Sequence, residues 1–210
     1  MIRTPLEPVS TFEDDPLRII RCVRFASRYN FELHPDIEAA LREESLRKAL
    51  RERISRERVG IEVEKMFARA RAAPPCLPWN HRSADIFLLC RPDPNALLSF
   101  KLIDSLGIWS SIFFLPPAAQ ETLSAASGPA SDSLIAASIL QELITPGSSP
   151  TLPALHPRLT SLVGNGPERK RLFLAAAAAP YRGLEVQKKK LTLPAPEVVI
   201  KESIKVNLGG

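Results

Sequence analysis

The feature that most constrains the fold is a charge-dense region with helical periodicity, from Asp15 to about Arg71. Its clearest start signal is Asp14-Asp15-Pro16, an acidic N-cap followed by proline at the first helical position. We predict that this helix runs to about Asn30. At about 100° per residue its apolar side chains share one side, which indicates a packing face: Ile19, Ile20, Cys22, Val23 and Ala26.

Four arginines fall on an adjoining side of the same helix, within an arc of about 120°. They are Arg18, Arg21, Arg24 and Arg28. Two interpretations are open at this point. The arginines can form a solvated face balanced by nearby carboxylates, or they can form part of a binding surface for an anionic ligand.

Asp15 and Arg18 are one helical turn apart and offer an acceptor beside a donor. A capping box would have Glu or Gln in place of Arg18, and a cation in the first turn opposes the helix dipole. A carboxylate can accept from the exocyclic amine of cytosine or adenine while a guanidinium donates to the neighbouring ring nitrogen. The pair therefore predicts selection of C and A over U and G, unless Asp15 only caps its own helix.

Composition divides the chain into four parts. Residues 1–10 read as a short extended piece because Pro5 and Pro8 disfavour a helix. Residues 11–71 are helical, residues 72–95 form a proline-rich insertion or loop, and residues 96–210 alternate helices with Pro/Gly/Ser turns. We expect an all-α fold with one short strand at the N-terminus.

Charge and cysteine content exclude several classes of protein. The formal net charge is +5 and the pI is about 9.3, which permits a polyanionic partner. Three cysteines at irregular spacing argue against a disulfide framework and for a reducing compartment, and no Cys/His spacing suggests a zinc site. The longest apolar run, at 172–180, is too short to span a membrane. We expect an intracellular protein without a membrane partner.

Three phrases resemble the neck of class II tRNA nucleotidyltransferases, the CCA-adding enzymes. The first is Ile2-Arg3-Thr4-Pro5, which resembles the strand leaving the catalytic head. The second is the stretch FEDDPLRIIRCVRFASRYNFELHPDIEAAL at 12–41, and the third is ISRERVGIEVEKMF at 54–67. Weaker likeness to eukaryotic, fungal-type members continues in residues 96–210, at 96–114, 169–183 and 186–206.

The resemblance implies a role for each matched residue. Asp15 and Arg18 match the Asp and Arg that act as a protein template for incoming CTP and ATP. Asp14 is the preceding acidic residue of that phrase, and Arg21 and Arg24 are candidates for holding the triphosphate or the tRNA end. Arg58 and Glu62, four residues apart, match a pair that braces the neck. Residues 1–10 would then end the catalytic head, 11–71 form the neck, and 96–210 form the body and tail.

One departure from the family concerns catalysis. Nucleotide polymerisation needs Mg²⁺ held by paired carboxylates, and the sequence has neither an Asp-x-Asp motif nor a Gly-rich phosphate loop. We therefore predict no catalytic and no metal-ligating residue in this chain and no activity of the chain alone. Residues 70 to about 92 match no part of the family, which indicates either a translated intron or an insertion.

Several points stay open. A lysine run, Lys188-Lys189-Lys190, predicts either a tRNA phosphate contact or a solvated loop. The alternatives to a CCA-adding enzyme are a catalytically inactive RNA-binding fragment, the neck of a poly(A) polymerase, and a helical scaffold without a nucleic-acid partner. The expected compartments are cytoplasm, nucleus and mitochondrion, and the sequence predicts no oligomeric state.

Overall fold

A computed structural model of the protein describes residues 1–68, 95–115, 129–144, 166–188 and 191–206. Helices dominate these ranges, so the predicted all-α class is confirmed. The helices are α1 (Pro8–Asp14), α2 (Leu17–Tyr29), α3 (Pro35–Ala40), α4 (Glu44–Glu52), α5 (Arg56–Phe67), α6 (Ala96–Ser105), α7 (Trp109–Ile112), α8 (Pro129–Ile144), α9 (Gly166–Ala177) and α10 (Ala195–Val198). A 3₁₀ turn (Ala179–Tyr181) and a π-helical turn (Val199–Ser203) complete the helical part.

The chain also forms one antiparallel hairpin that the sequence analysis did not predict. Strands β1 (Glu185–Lys188) and β2 (Leu191–Pro194) pair with Glu185 opposite Pro194 and Lys188 opposite Leu191. The strand expected near the N-terminus is reduced to a single parallel bridge between Ile2 and Leu33.

Residues 8–10 form the start of helix α1, which differs from the extended piece expected at 1–10. Pro8 is the first residue of α1, a position where the missing N–H of proline costs nothing because that donor has no intrahelical partner. The Glu7 carboxylate caps this helix by accepting from the N–H groups of Val9 and Ser10, at 3.0 and 2.7 Å. These backbone donors hold the pKa of Glu7 below its ordinary value.

Helix α2 lies at the centre of the packing, against α5 on one side and α6 on another. It ends where the sequence predicts, because Asn30 adopts the left-handed conformation that stops a helix. Its fully buried Ile19, Ile20 and Val23 confirm the predicted packing face.

An aromatic cluster joins helices α5, α6 and α9. Phe67 of α5, Phe100 of α6 and Phe173 of α9 have ring centroids 5.2–6.3 Å apart. Trp109 of α7 continues the cluster to Phe113. Ring pairs at such distances add to the apolar burial, so this cluster ties the two parts of the chain on either side of residues 69–94 together.

The last described residues pack directly on α5. A side chain at Gly60 would place its Cβ within 1.8 Å of the carbonyl oxygen of Ile204, so only glycine fits. Arg56 donates from Nε to the Ser203 carbonyl and from Nη2 to the carbonyls of Ser111 and Ile112, at 2.5, 3.2 and 2.9 Å. One arginine therefore holds three segments in place at the start of α5.

The predicted domain boundaries stay predictions. The proline-rich piece at 72–95 lies outside the described residues, apart from Asn95, which caps α6.

Candidate nucleotide-binding site

Asp15 lies at the junction between the end of α1 and the start of α2. Its Oδ1 accepts from the N–H of Leu17 at 3.2 Å, and its side chain is 27% exposed. Helix α2 begins at Leu17, with Pro16 as the N-cap, one residue later than predicted. Asp15 thus satisfies one backbone donor of the helix start, as the capping interpretation requires, and remains accessible from solvent.

Arg18 is exposed in the first turn of α2, and a contact with α1 orients its guanidinium. Its Nη1 donates to the carbonyl of Thr11 at 3.1 Å. The last carbonyls of a helix have no intrahelical partner, so the end of α1 provides an acceptor at this point. A guanidinium carries five N–H donors, and this contact uses one of them. Arg18 is therefore oriented and still has donors for a ligand.

Arg58, in the first turn of α5, contacts the carboxylate of Asp15. Its Nη2 lies 3.3 Å from Asp15 Oδ2. The contact is partly exposed, so its contribution to stability is small, but it restricts the carboxylate on the side opposite Leu17. Two carboxylate oxygens have about four acceptor positions, and these contacts occupy two. The start of α5 thus positions the candidate template residue on α2.

Glu62 does not pair with Arg58 as their spacing suggested; it pairs with Arg24. Glu62 Oε2 lies 2.6 Å from Arg24 Nε, and the two residues are only 6% and 5% exposed. Lys65 Nζ approaches the other oxygen of Glu62 at 3.1 Å. Arg58 and Glu62 both connect α5 to α2, but through separate partners. Their predicted bracing role stays a prediction, and this geometry supports it.

The packing of α2 leaves two of its four aligned arginines exposed and buries the other two. Arg18 and Arg21 are exposed, and so is Asp14 at the end of α1. Arg24 lies inside, where its guanidinium also covers the ring of Phe25 at 4.1 Å. Arg28 is buried as well and donates from Nη2 to the Lys65 carbonyl at 3.3 Å. Arg24 therefore faces α5; its contact with the triphosphate or the tRNA end stays a prediction, which this burial does not favour.

The lysine run falls mostly outside the described residues. Lys188 is the last residue of β1, and Lys189 and Lys190 are not among the residues that the structure describes. Their contact with tRNA stays a prediction.

The described ranges contain no group of three or more His, Cys, Asp or Glu side chains that could hold a metal ion. Nor is any of the helices described here long and apolar enough to cross a bilayer.

The sequence analysis did not predict two contacts that hold the side chains of the site in place. The contact between Arg58 and Asp15 joins residues 43 positions apart, and no local spacing signals it. The contact between Lys65 and Glu62 has the i, i+3 spacing of a helical pair and could have been found.

The chain is similar to several fungal nucleotidyltransferases. It is 41% identical over 116 residues to a nucleotidyltransferase of Purpureocillium lilacinum, covering 55% of this chain and 17% of that protein. A tRNA nucleotidyltransferase of Schizosaccharomyces pombe is 28% identical over 203 residues, 97% of this chain and 34% of that protein. The mitochondrial CCA tRNA nucleotidyltransferase of Saccharomyces cerevisiae is 48% identical over 67 residues, 32% of this chain and 12% of that protein.

The chain thus spans about a third or less of the length of these curated relatives. No protein-family model matches it, and no solved structure matches it significantly. Nearly the whole chain is nevertheless aligned with one relative, and shorter stretches reach higher identity with others. The resemblance seen in the sequence motifs is confirmed: the chain is similar to a part of longer fungal tRNA nucleotidyltransferases.

Proposed function

We propose that this chain is the nucleotide-selecting and tRNA-binding part of a CTP- and ATP-dependent tRNA nucleotidyltransferase that adds CCA to tRNA 3′ ends. The observation that carries the proposal is the arrangement of Asp15 and Arg18. Both are accessible at the start of α2, and each is oriented by a contact that leaves hydrogen-bonding capacity unused. The names of the relatives support the reaction class, since several are CCA-adding enzymes.

The proposed base recognition uses complementary donors and acceptors. The Asp15 carboxylate accepts from the exocyclic amine of cytosine or adenine, and the Arg18 guanidinium donates to the adjacent unprotonated ring nitrogen. Uracil and guanine present a carbonyl beside a ring N–H, so both protein groups would face a like partner. Arg58 restrains the carboxylate, and the exposed Arg21, one turn beyond Arg18, is placed to attract phosphate.

The proposal assigns the bond-forming chemistry elsewhere. Mg²⁺ would be held by the carboxylates of a catalytic head, and when bound it activates the attacking hydroxyl and stabilises the transferred phosphate. This chain's own residues would choose the base and hold the nucleic acid. Its compartment is proposed to be intracellular, since two yeast relatives are named as mitochondrial.

The test measures binding of CTP, ATP, UTP and GTP to the full chain by calorimetry, with and without a tRNA that lacks its terminal CCA. We expect CTP and ATP to bind more tightly than UTP and GTP. Arg18→Ala should weaken CTP and ATP binding about 10- to 150-fold, the equivalent of one hydrogen bond from a charged donor. Arg53→Ala, at an exposed arginine after α4, is the matched control and should leave the affinities for all four nucleotides unchanged.

Two other results would contradict the proposal. Salt-dependent tRNA binding with equal affinity for all four nucleotides would favour the catalytically inactive RNA-binding alternative. Absence of both nucleotide and tRNA binding by the folded chain would favour a helical scaffold in which Asp15 is only a cap.

A further inference from the structure

A basic cleft lies between α4 and the turn that leads into α7. Its cationic lining residues are Arg47, Lys48 and Arg51 of α4, and the opposite wall is formed by Gly107, Ser110 and Ser111. The cleft has a volume of about 270 Å³. Nothing in the proposed nucleotide site uses these residues.

The three cations of this cleft lack acidic partners. No ion pair within the described ranges involves Arg47, Lys48 or Arg51, although Glu44 and Glu52, the first and last residues of α4, also line the cleft. Arg47 and Arg51 share a helix face at i, i+4, where like charges destabilise a helix by about 0.2–0.5 kcal/mol. Leu46 and Leu50 are fully buried on the other side of α4, so the helix turns its charged face to the cleft, where three cations lie near two carboxylates.

A fourth cation, Arg56, contacts the wall of the cleft and adds to its positive charge. The guanidinium groups of Arg51 and Arg56 lie 4.6 and 4.9 Å from the ring centroid of Phe114. Among the described residues, Arg56 donates hydrogen bonds only to backbone carbonyls, including that of Ser111 in the cleft wall, and its buried Nη1 has no hydrogen-bond partner there. Burial, with a smaller effect of Arg51, lowers the pKa of Arg56 to about 10. The cleft therefore has an excess of positive charge, with three lining cations and the adjacent Arg56 against the carboxylates of Glu44 and Glu52.

Two residues of the first turn of α5 contact the cleft wall and the candidate template separately. Arg56, the first residue of α5, holds the cleft wall, and Arg58, two residues later, holds Asp15. Guanidinium groups bind phosphate oxygens through paired N–H donors, and two of the three lining cations are arginines.

We propose that this cleft binds a backbone phosphate of the RNA whose end reaches the template, with Arg47, Lys48 and Arg51 as the contacts. The inference rests on the proposed function, because the tRNA of that function supplies the phosphate. Phosphate contacts position a nucleic acid without reading its sequence, so the cleft adds affinity and register but no base selectivity.

The test compares tRNA binding by the full chain and by the double variant Arg47→Gln/Arg51→Gln across a range of salt concentrations. Each phosphate that is no longer neutralised should lower the slope of log affinity against log salt by about 1, so the double variant, which loses the one phosphate of the cleft, should lose about 1. Lys101→Gln/Lys201→Gln removes two exposed lysines from other helical segments and is the matched control; its slope should stay near that of the parent chain.

A second variant separates charge from folding. Arg47→Lys/Arg51→Lys keeps both charges and should retain most of the slope, while circular dichroism confirms that all variants are folded. The CTP-over-UTP preference should be the same in the Gln variant as in the parent chain.

Three outcomes would overturn the proposal. If the chain binds tRNA but the Gln variant has the slope of the control, the cleft is not a phosphate site, although the proposed function survives. If polyglutamate displaces tRNA as effectively as an unrelated RNA, the cleft is a general anion patch. If the chain binds no RNA at all, the inference fails together with the proposed function.

Discussion

The buried pair between Arg24 and Glu62 gives the sharpest test of how α2 and α5 are held together. Replacing Glu62 by leucine removes the carboxylate and leaves the Arg24 guanidinium, 5% exposed, without its 2.6 Å partner. Breaking a buried ion pair from one side costs about 3–5 kcal/mol, since an uncompensated charge remains inside. Arg24 keeps its contact with the Phe25 ring, worth about 0.5–2 kcal/mol, so we expect the lower end, about 3 kcal/mol.

The assay is urea unfolding followed by far-ultraviolet circular dichroism. With a slope of about 2–3 kcal/mol per molar urea, a loss of 3 kcal/mol lowers the unfolding midpoint by about 1–1.5 M. The double variant Arg24→Met/Glu62→Leu removes both charges and should recover to within about 1 kcal/mol of the parent chain, because apolar replacement of a whole buried pair is often neutral.

The control is Glu197→Gln, which breaks the exposed pair between Glu197 and Lys201. That i, i+4 pair should contribute only about 0.3–0.5 kcal/mol. The reasoning is refuted if Glu62→Leu costs no more than this control, or if the double variant is as unstable as the single one.

Two further predictions follow from the packing. Gly60→Ala should lower the unfolding midpoint even though alanine favours a helix by about 1 kcal/mol, because its Cβ would lie 1.8 Å from the Ile204 carbonyl oxygen; an unchanged or raised midpoint would contradict this contact. Burial raises the pKa of Cys22 to about 11, so at pH 8 only about 0.1% of this thiol is ionised in the folded chain. In a variant whose other cysteines are serine, iodoacetamide should label Cys22 slowly below pH 10 and rapidly in urea; labelling at pH 8 as fast as that of a free thiol would disprove the burial.

The helix that carries the candidate template was predictable because its signals are local. The acidic residues before Pro16, the apolar period and Asn30 at the end all act within one or two turns. The helix α1 was missed because Pro8 was taken as a helix breaker, whereas the Glu7 side chain makes it a helix start. The hairpin was missed because Lys189-Lys190 lacks the Asn or Gly that usually signals a tight turn.

The partners of the site residues were beyond sequence reasoning because they come from distant parts of the chain. Arg24 and Glu62 are 38 positions apart, and the local i, i+4 spacing suggested Arg58 as the partner of Glu62 instead. Which arginines of α2 are exposed depends on where α5 packs, and periodicity places all four within one arc without saying where its edge falls. The cations of α4 likewise become informative only once the structure shows that none of the three forms an ion pair within the described residues.

The docking of residues 203–206 on α5 bears on how the chain reaches its native state. The contacts of Arg56 with Ser203 and of Glu57 with Lys205 close loops of 147 and 148 residues. Pairings of such high sequence separation form late and slow the acquisition of structure. During synthesis, a ribosome-bound intermediate that stops short of Ser203 would have α5 in place but one flank uncovered. The helix that supports the candidate template would therefore acquire its final rigidity only when the last described segment has emerged.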